Sequence, residues 1–327
     1  MNKILNRLIA GEKFDSTEAE AIIINIGNGE VNPSQIAAFL MGIQQRGITV
    51  DELMGFREGM LKLAKAINLE DFEAMDVCGT GGDGKDTFNI STTSAFVVAG
   101  AGQAVAKHGN HGVSSAVGSS TVLEYLGVKF TNDADFLRKK METAGICYLH
   151  APLFHPAMKY VAPIRKELGI RTFFNILGPI LNPAMVKKQF TGVSDTTTFD
   201  LYKNLFLKSG ARFGVVHSID IYDEISLTSP FLLATGEDTK TFEAKDLGFE
   251  PVLQEQLHGG AGLEDSAKIM LDILQNKGTQ AQTQAVLANA AVALSIGKSV
   301  NIENGIALSK ESLESGKAYS SFKKLVE

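Results

Sequence analysis

The chain has 327 residues, with 31 Lys and Arg against 37 Asp and Glu, so its formal net charge at pH 7 is −6. This acidic balance argues against sequence-independent binding to nucleic acid, which needs a clustered basic surface. Hydrophobic residues at 44% and charged residues at 21% are typical of a folded chain, and the length favours two domains. The 32 glycines exceed the usual share, and their positions decide whether they mean flexibility or close backbone approach to a ligand.

Cysteine content and apolar runs indicate the compartment. Cys78 and Cys147 lie far apart, which favours two buried thiols in a reducing environment over a disulfide framework. The N-terminus lacks the apolar core of a signal peptide. The most apolar stretches, 95–101 and 285–296, are shorter than the run of about 18 residues that a membrane span needs. We therefore expect a cytoplasmic protein that does not contact a membrane.

The first 66 residues predict helices without a strand. Ile36, Phe39 and Ile43 recur at the spacing that places apolar side chains on one face of a helix. We therefore predict a small all-helical domain over residues 1–70.

From residue 74 onward, short apolar runs alternate with helical stretches. The candidate strands are 75–78, 103–107, 146–149, 189–193 and 213–217. Such alternation predicts a mostly parallel central sheet with helices on its faces, and ligands of these sheets bind at the carboxyl ends of the strands. The predicted fold class is α/β, with the larger α/β domain formed by 71–163 and 188–327. The segment 164–187 is expected to pack back on the helical domain.

The strongest motif is a glycine-rich loop that follows the first candidate strand. Four glycines lie between Gly79 and Gly84, and polar residues such as Asn89 and Ser91 stand where a helix begins. Glycines let backbone N–H groups approach an anion, and the start of a helix supplies unpaired N–H donors. This combination favours a phosphate site over a plain turn followed by a capped helix.

Two familiar phosphate-binding loops fit this segment poorly. Asp86 occupies the Ser/Thr position of a P-loop, so the hydroxyl that would bind Mg²⁺ is missing. A dinucleotide-binding loop is matched by its glycines, but Asp83 would repel a pyrophosphate unless a cation intervened. Neither alternative is favoured.

A second glycine loop begins at Lys107, and an acidic pair, Asp223 and Glu224, follows the last candidate strand. Lysine offers a point charge for a phosphate. His108 and His111 have no third ligand at a suitable spacing, so zinc is not favoured, and a surface turn stays the alternative. The acidic pair is typical of a solvated surface when it stands alone, but in a loop both carboxylates can reach one Mg²⁺.

Taken together, these segments resemble the anthranilate phosphoribosyltransferase family. The matching motifs occur in the same order over nearly the whole chain, at 79–83, 88–93, 107–110, 155–165, 177–183 and 223–226. The resemblance implies transfer of the phosphoribosyl group from 5-phosphoribosyl 1-pyrophosphate to the amine of anthranilate, with Mg²⁺, in tryptophan biosynthesis. It also implies a nucleoside phosphorylase/phosphoribosyltransferase-like fold and a homodimer formed through the helical domain.

The resemblance further assigns roles to individual residues. Phosphoribosyl pyrophosphate is expected on Gly79, Gly82, Asp83, Thr87, Asn89, Ile90, Ser91, Thr92, Lys107, Gly109, Asn110, Ser115 and Ser119. Mg²⁺ is expected on Ser91, Asp223 and Glu224, and anthranilate on Gly79, Asn110, Arg165, His155 and Pro179. The catalytic candidates are Arg165, which would hold the substrate carboxylate, and His108, which would act as a general base.

The acidic pair departs from the family's usual pattern. The family reads His-Gly-x-Asp-Gly-x-Asp-Glu, whereas Ser218 and Ile221 replace the two glycines here. A side chain restricts such a turn because a positive φ is costly without glycine. We therefore expect the magnesium geometry or the rate to differ from the family, rather than the identity of the reaction.

Two other functions stay open at this point. A pyrimidine nucleoside phosphorylase shares the architecture, but it normally carries a further C-terminal domain for which 327 residues leave little room. A non-enzymatic relative that binds nucleic acid is disfavoured by the acidic charge. Arg165, with Lys166 and Glu167 beside it, also fits a solvated helix surface.

Overall fold

The computed structural model describes residues 1–112 and 117–327. These residues form two compact units, and each unit is built from two stretches of the chain. One unit consists of Met1–Ile67 and Ala151–Met185, and the other of Asn68–His150 and Val186–Glu327. The sequence-based division has the chain return to the helical domain at residue 164, whereas the observed unit takes the chain up at Ala151.

The first unit is all-helical. Its helices are α1 (Asn2–Ile9), α2 (Ser16–Gly27), α3 (Pro33–Arg46), α4 (Val50–Lys62), α8 (Ala151–Phe154), α9 (Ala162–Leu168) and α10 (Phe174–Leu177). Side-chain caps determine where α2, α3 and α4 begin. Asp15 and Thr49 each form a capping box, and the Asn32 side chain accepts a hydrogen bond from the N–H of Gln35. The predicted all-helical character of this part of the chain is confirmed.

Aromatic side chains join the two stretches of this unit. Phe173, from the second stretch, stacks on Phe56 with ring centroids 4.5 Å apart and meets Phe39 edge-on at 6.2 Å. All three side chains are buried. The later segment therefore supplies part of the apolar core that helices α3 and α4 need, which is why it belongs to the same unit.

The second unit contains a seven-stranded sheet. Its strands are β1 (Met75–Gly79), β2 (Val105–Gly109), β3 (Ile146–His150), β4 (Lys188–Gly192), β5 (Arg212–Ser218), β6 (Phe231–Ala234) and β7 (Thr239–Phe242). They lie in the order β3-β2-β1-β4-β5-β6-β7. Neighbouring strands from β3 to β5 are parallel, whereas β6 is antiparallel to both β5 and β7. The predicted mostly parallel sheet is confirmed. The order reverses direction between β1 and β4, the kind of point at which α/β sheets bind ligands.

The hairpin of β6 and β7 did not emerge from the sequence. Both strands have four residues, and three of the four residues of β7 are exposed. An exposed short strand carries little apolar alternation, so periodicity gives no signal for it.

Helices pack against this sheet, and two of them are buried on all sides along much of their length. The helices are α5 (Ile90–Gly100), α6 (Ser119–Tyr125), α7 (Ala134–Ala144), α11 (Thr196–Ser209), α12 (Leu263–Leu274), α13 (Gln280–Lys298), α14 (Ile302–Glu314) and α15 (Lys317–Val326). Helices α5 and α13 bury almost every side chain from Thr92 to Ala99 and from Ala285 to Leu294. They form the centre of the core, so a polar side chain inside them needs a hydrogen-bond partner.

Within residues 1–112 and 117–327, none of the individual helices combines the length and apolar character needed to cross a membrane. The pair α13 and α14 meets that criterion only when joined, and the two are bent by 116° at their break.

Candidate active site

Three carboxylates meet at the carboxyl edge of the sheet. Asp83 comes from the glycine-rich loop after β1, and Asp223 and Glu224 come from the loop after β5. One carboxylate oxygen from each lies within 4.8 Å of the other two. The sequence had separated these residues into a phosphate loop and a metal pair, whereas the fold makes them one acidic cluster.

Ionisation of the three carboxylates is unfavourable when no cation is bound between them. Burial, followed by the charge of Asp83, raises the pKa of Asp223 to about 7. Burial, followed by the charge of Asp223, raises the pKa of Glu224 well above its ordinary value. Among the described residues, Asp83 Oδ2 and Glu224 Oε2 are buried without a hydrogen-bond partner. Buried carboxylate oxygens that face one another in this way suit a hard divalent cation such as Mg²⁺, so the donor set fits the predicted metal.

Ser91, the third predicted metal residue, lies beside the cluster at the start of α5. A backbone hydrogen bond from Ser91 acts to lower the pKa of Glu224, against the effect of burial. The structure thus brings Ser91 and Glu224 together, although the contact runs through the Ser91 backbone. Asp83 is the member that sequence reasoning assigned to substrate rather than to metal.

Two glycines allow the acidic loop to approach the sheet. Gly79 and Gly192 are paired in register at the carboxyl ends of β1 and β4. A Cβ added to Gly79 would collide with the Asp223 carboxylate, and a Cβ added to Gly192 would collide with the Asp223 carbonyl group. Neither glycine has a positive φ. Their lack of a side chain therefore makes room for the loop that carries the acidic pair.

Glycine is required at the remaining glycine positions of the first loop for a different reason, the backbone conformation. Gly81, Gly82 and Gly84 have φ values of 61°, 76° and 71°, in the left-handed region that other residues rarely adopt. The Gly81 N–H turns toward the cluster and donates to Asp223 Oδ2 at 2.7 Å. This loop can therefore direct backbone donors at negative charge, as the glycine pattern predicts.

The start of α5 is open to an anion. Like the N-cap residues of α6 and α12, the N-cap Asn89 makes no side-chain hydrogen bond to its helix in the part of the chain that the structure describes. Instead, Asn89 Nδ2 donates to the carbonyl of Val117 at 3.0 Å. Within 1–112 and 117–327, Asn89 Oδ1 and Thr92 Oγ1 are buried without a partner. The Thr92 hydroxyl can donate to an anion, and the backbone N–H groups of a helix's first turn have no partner within the helix, which is typical of a phosphate site.

The other predicted residues of this segment lie close by. Ile90 is the first residue of α5 and is buried, while Thr87 forms an isolated antiparallel bridge with His258. The next N–H, of Phe88, donates to the Leu257 carbonyl at 3.1 Å. Residues around His258, far away in the sequence, therefore support the loop. No local sequence motif predicts this contact.

Lys107 is buried within β2 rather than exposed at its end. Its side chain is 2% exposed, and Nζ donates to the carbonyl of Val77 at 2.5 Å. Burial lowers the pKa of Lys107, and the charges of Asp76, Glu224 and Asp223 oppose that effect. In this conformation, the ammonium group is a buried countercharge to the acidic cluster.

The second glycine loop continues from β2 toward α6. His108 is buried, and its backbone N–H donates to Asp76 Oδ1 at 3.2 Å. Gly109 ends β2, and a Cβ there would collide with the hydroxyl of Tyr148. Asn110 is exposed, and its carbonyl accepts from Ser119 Oγ at 3.3 Å. Ser115 lies outside the described residues.

Tyr148 is a further residue of this region that sequence reasoning missed. It lies on β3, and its hydroxyl is 2.8 Å from the hydroxyls of both Ser119 and Ser120. Burial raises the pKa of Tyr148, so the phenol stays neutral and can serve as a hydrogen-bond partner. A tyrosine inside an apolar strand gives no sequence signal for such a contact.

The residues predicted for anthranilate lie mainly in the helical unit. Arg165, on α9, is half-buried, and its Nη2 donates to Asn175 Oδ1 at 3.1 Å. Its guanidinium lies 5.5 Å from the centroid of the Phe174 ring. Burial lowers the pKa of Arg165, and within the described residues its buried Nε has no partner. Arg165 is therefore held by neighbours, unlike the solvated helix arginine that its flanking charges suggested.

His155 and Pro179 are both buried in this unit. Burial lowers the pKa of His155 to about 4, so the imidazole is neutral at pH 7. A neutral imidazole and a proline offer contact without charge, which suits the lining of an aromatic substrate better than proton transfer.

Comparisons with known proteins identify the family of this chain. The model of the glycosyl transferase family helical bundle domain matches residues 2–64, and that of the a/b domain matches residues 71–319. The anthranilate phosphoribosyltransferase of Christiangramia forsetii is 50% identical over 99% of this chain and 98% of its own length. That of Cytophaga hutchinsonii is 48% identical over 100% of both chains. The chain belongs to the anthranilate phosphoribosyltransferase family.

Solved structures of the anthranilate phosphoribosyltransferase family share the fold. The enzyme from Thermus thermophilus has a TM-score of 0.93 and 33% identity, and the match covers 98% of both chains. The Saccharomyces cerevisiae enzyme, solved with PRPP and Mg, has a TM-score of 0.90 and 25% identity over 98% of this chain and 95% of that one. These relatives confirm the family resemblance and do not favour the nucleoside phosphorylase alternative.

Proposed function

We propose that the chain transfers the phosphoribosyl group of 5-phosphoribosyl 1-pyrophosphate to the amine of anthranilate in tryptophan biosynthesis. The products are N-(5-phosphoribosyl)anthranilate and pyrophosphate. The observation that carries this proposal is the acidic cluster of Asp83, Asp223 and Glu224 beside the uncapped start of α5. An anion with its own cation fits this place, whereas an anion alone would be repelled.

Phosphoribosyl pyrophosphate binds through backbone and side-chain donors of the α/β unit. The glycine-rich loop and the first turn of α5 direct N–H groups at the phosphates, and the hydroxyl of Thr92 is buried there with no partner in the described part of the chain. The remaining predicted contacts are Gly79, Gly82, Thr87, Asn89, Ile90, Lys107, Gly109, Asn110, Ser115 and Ser119.

Asp83, Asp223, Glu224 and Ser91 are the residues that would hold Mg²⁺. When bound, Mg²⁺ supplies positive charge that offsets the charges of the diphosphate and of the carboxylates. The predicted set of Ser91, Asp223 and Glu224 is thereby extended by Asp83, because its carboxylate faces the other two.

The reaction breaks the bond between the anomeric carbon and the pyrophosphate oxygen and forms a bond from that carbon to the anthranilate nitrogen. The electron pair of the broken bond leaves with pyrophosphate, and N–H donors of the glycine-rich loop stabilise that negative charge. The aromatic amine is uncharged at pH 7, so positioning matters more than deprotonation. Arg165 holds the anthranilate carboxylate, with His155 and Pro179 as neutral neighbours, and Gly79 and Asn110 complete the predicted contacts. The amine loses one proton as the new bond forms, and His108 stays the candidate general base that would accept it.

Two coarser expectations accompany this proposal. A homodimer formed through the helical unit is expected from the family resemblance alone. Light scattering after size exclusion measures that state directly. The cytoplasmic location rests on the sequence arguments alone.

The experiment that tests the function follows anthranilate fluorescence. We expect the fluorescence to decay when the protein is mixed with anthranilate, phosphoribosyl pyrophosphate and Mg²⁺, and the decay to stop on addition of a chelator. Asp223→Asn should weaken the response to Mg²⁺. Phosphate-dependent cleavage of thymidine or uridine without any loss of anthranilate would overturn the proposal in favour of a nucleoside phosphorylase.

A further inference from the structure

The loop that carries the acidic pair has an unfavourable backbone. It runs over residues 219–230, between β5 and β6, and contains two non-glycine residues with positive φ: Ile221 at 75° and Leu227 at 63°. Ile221 is the position at which the family usually has glycine. Residues in this region persist only where surrounding contacts hold them. The contacts that hold this loop are therefore informative about how the acidic pair is presented.

Ser218 supplies one such contact. Its side chain is fully buried, and its hydroxyl donates to the carbonyl of Glu224 at 2.7 Å. Glycine, the usual residue of the family here, could not make this hydrogen bond. The residue that departs from the family pattern is thus bonded directly to the backbone of a predicted metal ligand.

Asn289 supplies a second contact from the opposite side. It lies in α13 and is 1% exposed. Its Oδ1 accepts from the N–H of Ile225 at 3.1 Å, and its Nδ2 donates to the carbonyl of Ile225 at 2.8 Å. The side chain therefore pairs with Ile225 as a neighbouring strand would. A buried amide in so apolar a helix is costly unless it is paired in this way.

These contacts converge on one peptide group. The carbonyl of Glu224 is bonded to Ser218, and the N–H of Ile225 is bonded to Asn289. Because the peptide is planar, hydrogen bonds at both of its ends determine its orientation. That orientation in turn constrains the direction of the Glu224 Cα–Cβ bond, from which the side chain extends to its carboxylate.

We propose that Ser218 and Asn289 are positioning residues that orient the Glu224–Ile225 peptide so that the Glu224 carboxylate is ready for Mg²⁺. The proposal rests on the proposed role of Glu224 as a metal ligand. Ser218 acts through a hydrogen bond where glycine would act through backbone freedom, so it compensates for the loss of both glycines in this chain. Removal of such supporting hydrogen bonds commonly weakens metal binding by about 10- to 100-fold.

Ser218→Ala tests the proposal, with Ser312→Ala as a matched control. Ser312 is also buried, and its hydroxyl donates to the carbonyl of Val97 at 2.7 Å, but neither residue belongs to the acidic cluster. Mn²⁺ binding to the substrate-free protein is measured by calorimetry, and thermal unfolding is followed in parallel. We expect Ser218→Ala to weaken Mn²⁺ binding about 10-fold. Ser312→Ala should bind Mn²⁺ within about twofold of the unchanged chain, while both variants lose similar thermal stability.

Asn289→Asp provides a second variant, since it keeps an acceptor for the Ile225 N–H but loses the donor. It should also weaken Mn²⁺ binding, and a failure of this variant to fold leaves the serine comparison decisive. In steady-state assays, the Mg²⁺ concentration for half-maximal rate should rise for Ser218→Ala while the KM for anthranilate stays unchanged.

Glu224→Gln separates this proposal from the function on which it rests. If Glu224→Gln abolishes Mn²⁺ binding while Ser218→Ala binds normally, the positioning role is overturned and the metal site stands. Equal weakening by Ser218→Ala and Ser312→Ala also overturns the positioning role, because it shows a general loss of stability. If Glu224→Gln binds Mn²⁺ normally, both the metal assignment and the positioning role fail.

Discussion

Gly192→Ala should inactivate the enzyme although Gly192 belongs to none of the predicted substrate contacts. The added Cβ would lie 2.6 Å from the carbonyl carbon of Asp223 and closer still to its oxygen. Ordinary contact begins at 3.4 Å, so relief of the contact with the carbonyl carbon alone needs a backbone shift of 0.8 Å, and the closer carbonyl oxygen needs a larger one. A metal or catalytic site needs its groups held within about 0.5 Å. A displacement of about 1 Å already costs about 100-fold in rate, so we expect at least that loss.

The stability of this variant should also fall. Overpacking a buried site costs about 1–3 kcal/mol, whereas a glycine replaced where the backbone permits it gains about 0.4–1 kcal/mol from the unfolded state. The first effect exceeds the second, because the added carbon meets backbone atoms that cannot rotate away. Gly79→Ala should be milder in stability, since its Cβ meets the side chain of Asp223.

The assay compares three variants by anthranilate fluorescence, Mg²⁺ titration and thermal unfolding. Gly236→Ala is the control, because its added Cβ meets nothing within 4 Å and its φ is not in the left-handed region. It should keep full activity and unchanged or slightly higher stability. A Gly192→Ala protein with the activity of the unchanged chain would refute the argument that the loop presses on this strand end.

Three further predictions follow from the site. Arg165→Ala should raise the KM for anthranilate about 10- to 100-fold through loss of a charge-assisted hydrogen bond, and leave the KM for phosphoribosyl pyrophosphate within about twofold. Arg171→Ala is the control, because Arg171 is exposed. Equal effects on both KM values, or a similar effect of the control, would contradict the assignment. In metal-free protein, urea unfolding should show Asp223→Asn gaining stability over the unchanged chain as pH rises from 3.8 to about 7. Over that range Asp223 is ionised in the unfolded chain, whereas burial keeps its carboxyl protonated in the folded chain. Mg²⁺ should remove the gain, and a pH-independent difference would refute it. Tyr148→Phe removes the hydroxyl that contacts Ser119. The free energy of unfolding should fall by about 1 kcal/mol, and the KM for phosphoribosyl pyrophosphate should rise. An unchanged KM would show that Ser119 is positioned without the Tyr148 hydroxyl.

The sequence by itself determined the local structure and the family. Apolar spacing predicted that the first unit is helical, because that signal acts within a few residues. Short apolar runs that alternate with helices predicted the parallel strands β1 to β5 and hence the sheet edge at which a ligand binds. The glycine-rich loop, with polar residues at the start of α5, predicted a phosphate site, because this signal also lies within a short stretch of the sequence.

Only the tertiary structure decided which distant residues act together. Asp83 joins Asp223 and Glu224, and Asn289 reaches the acidic loop from α13, although nothing near these residues in the sequence connects them. Gly192 carried no local signal either, because its role depends on contact with Asp223, which lies in the loop that follows β5 in the chain. The glycine surplus therefore has two causes: positive φ in the loop at Gly81 to Gly84, which local chemistry can indicate, and close approach at strand ends, which depends on how the chain folds back on itself.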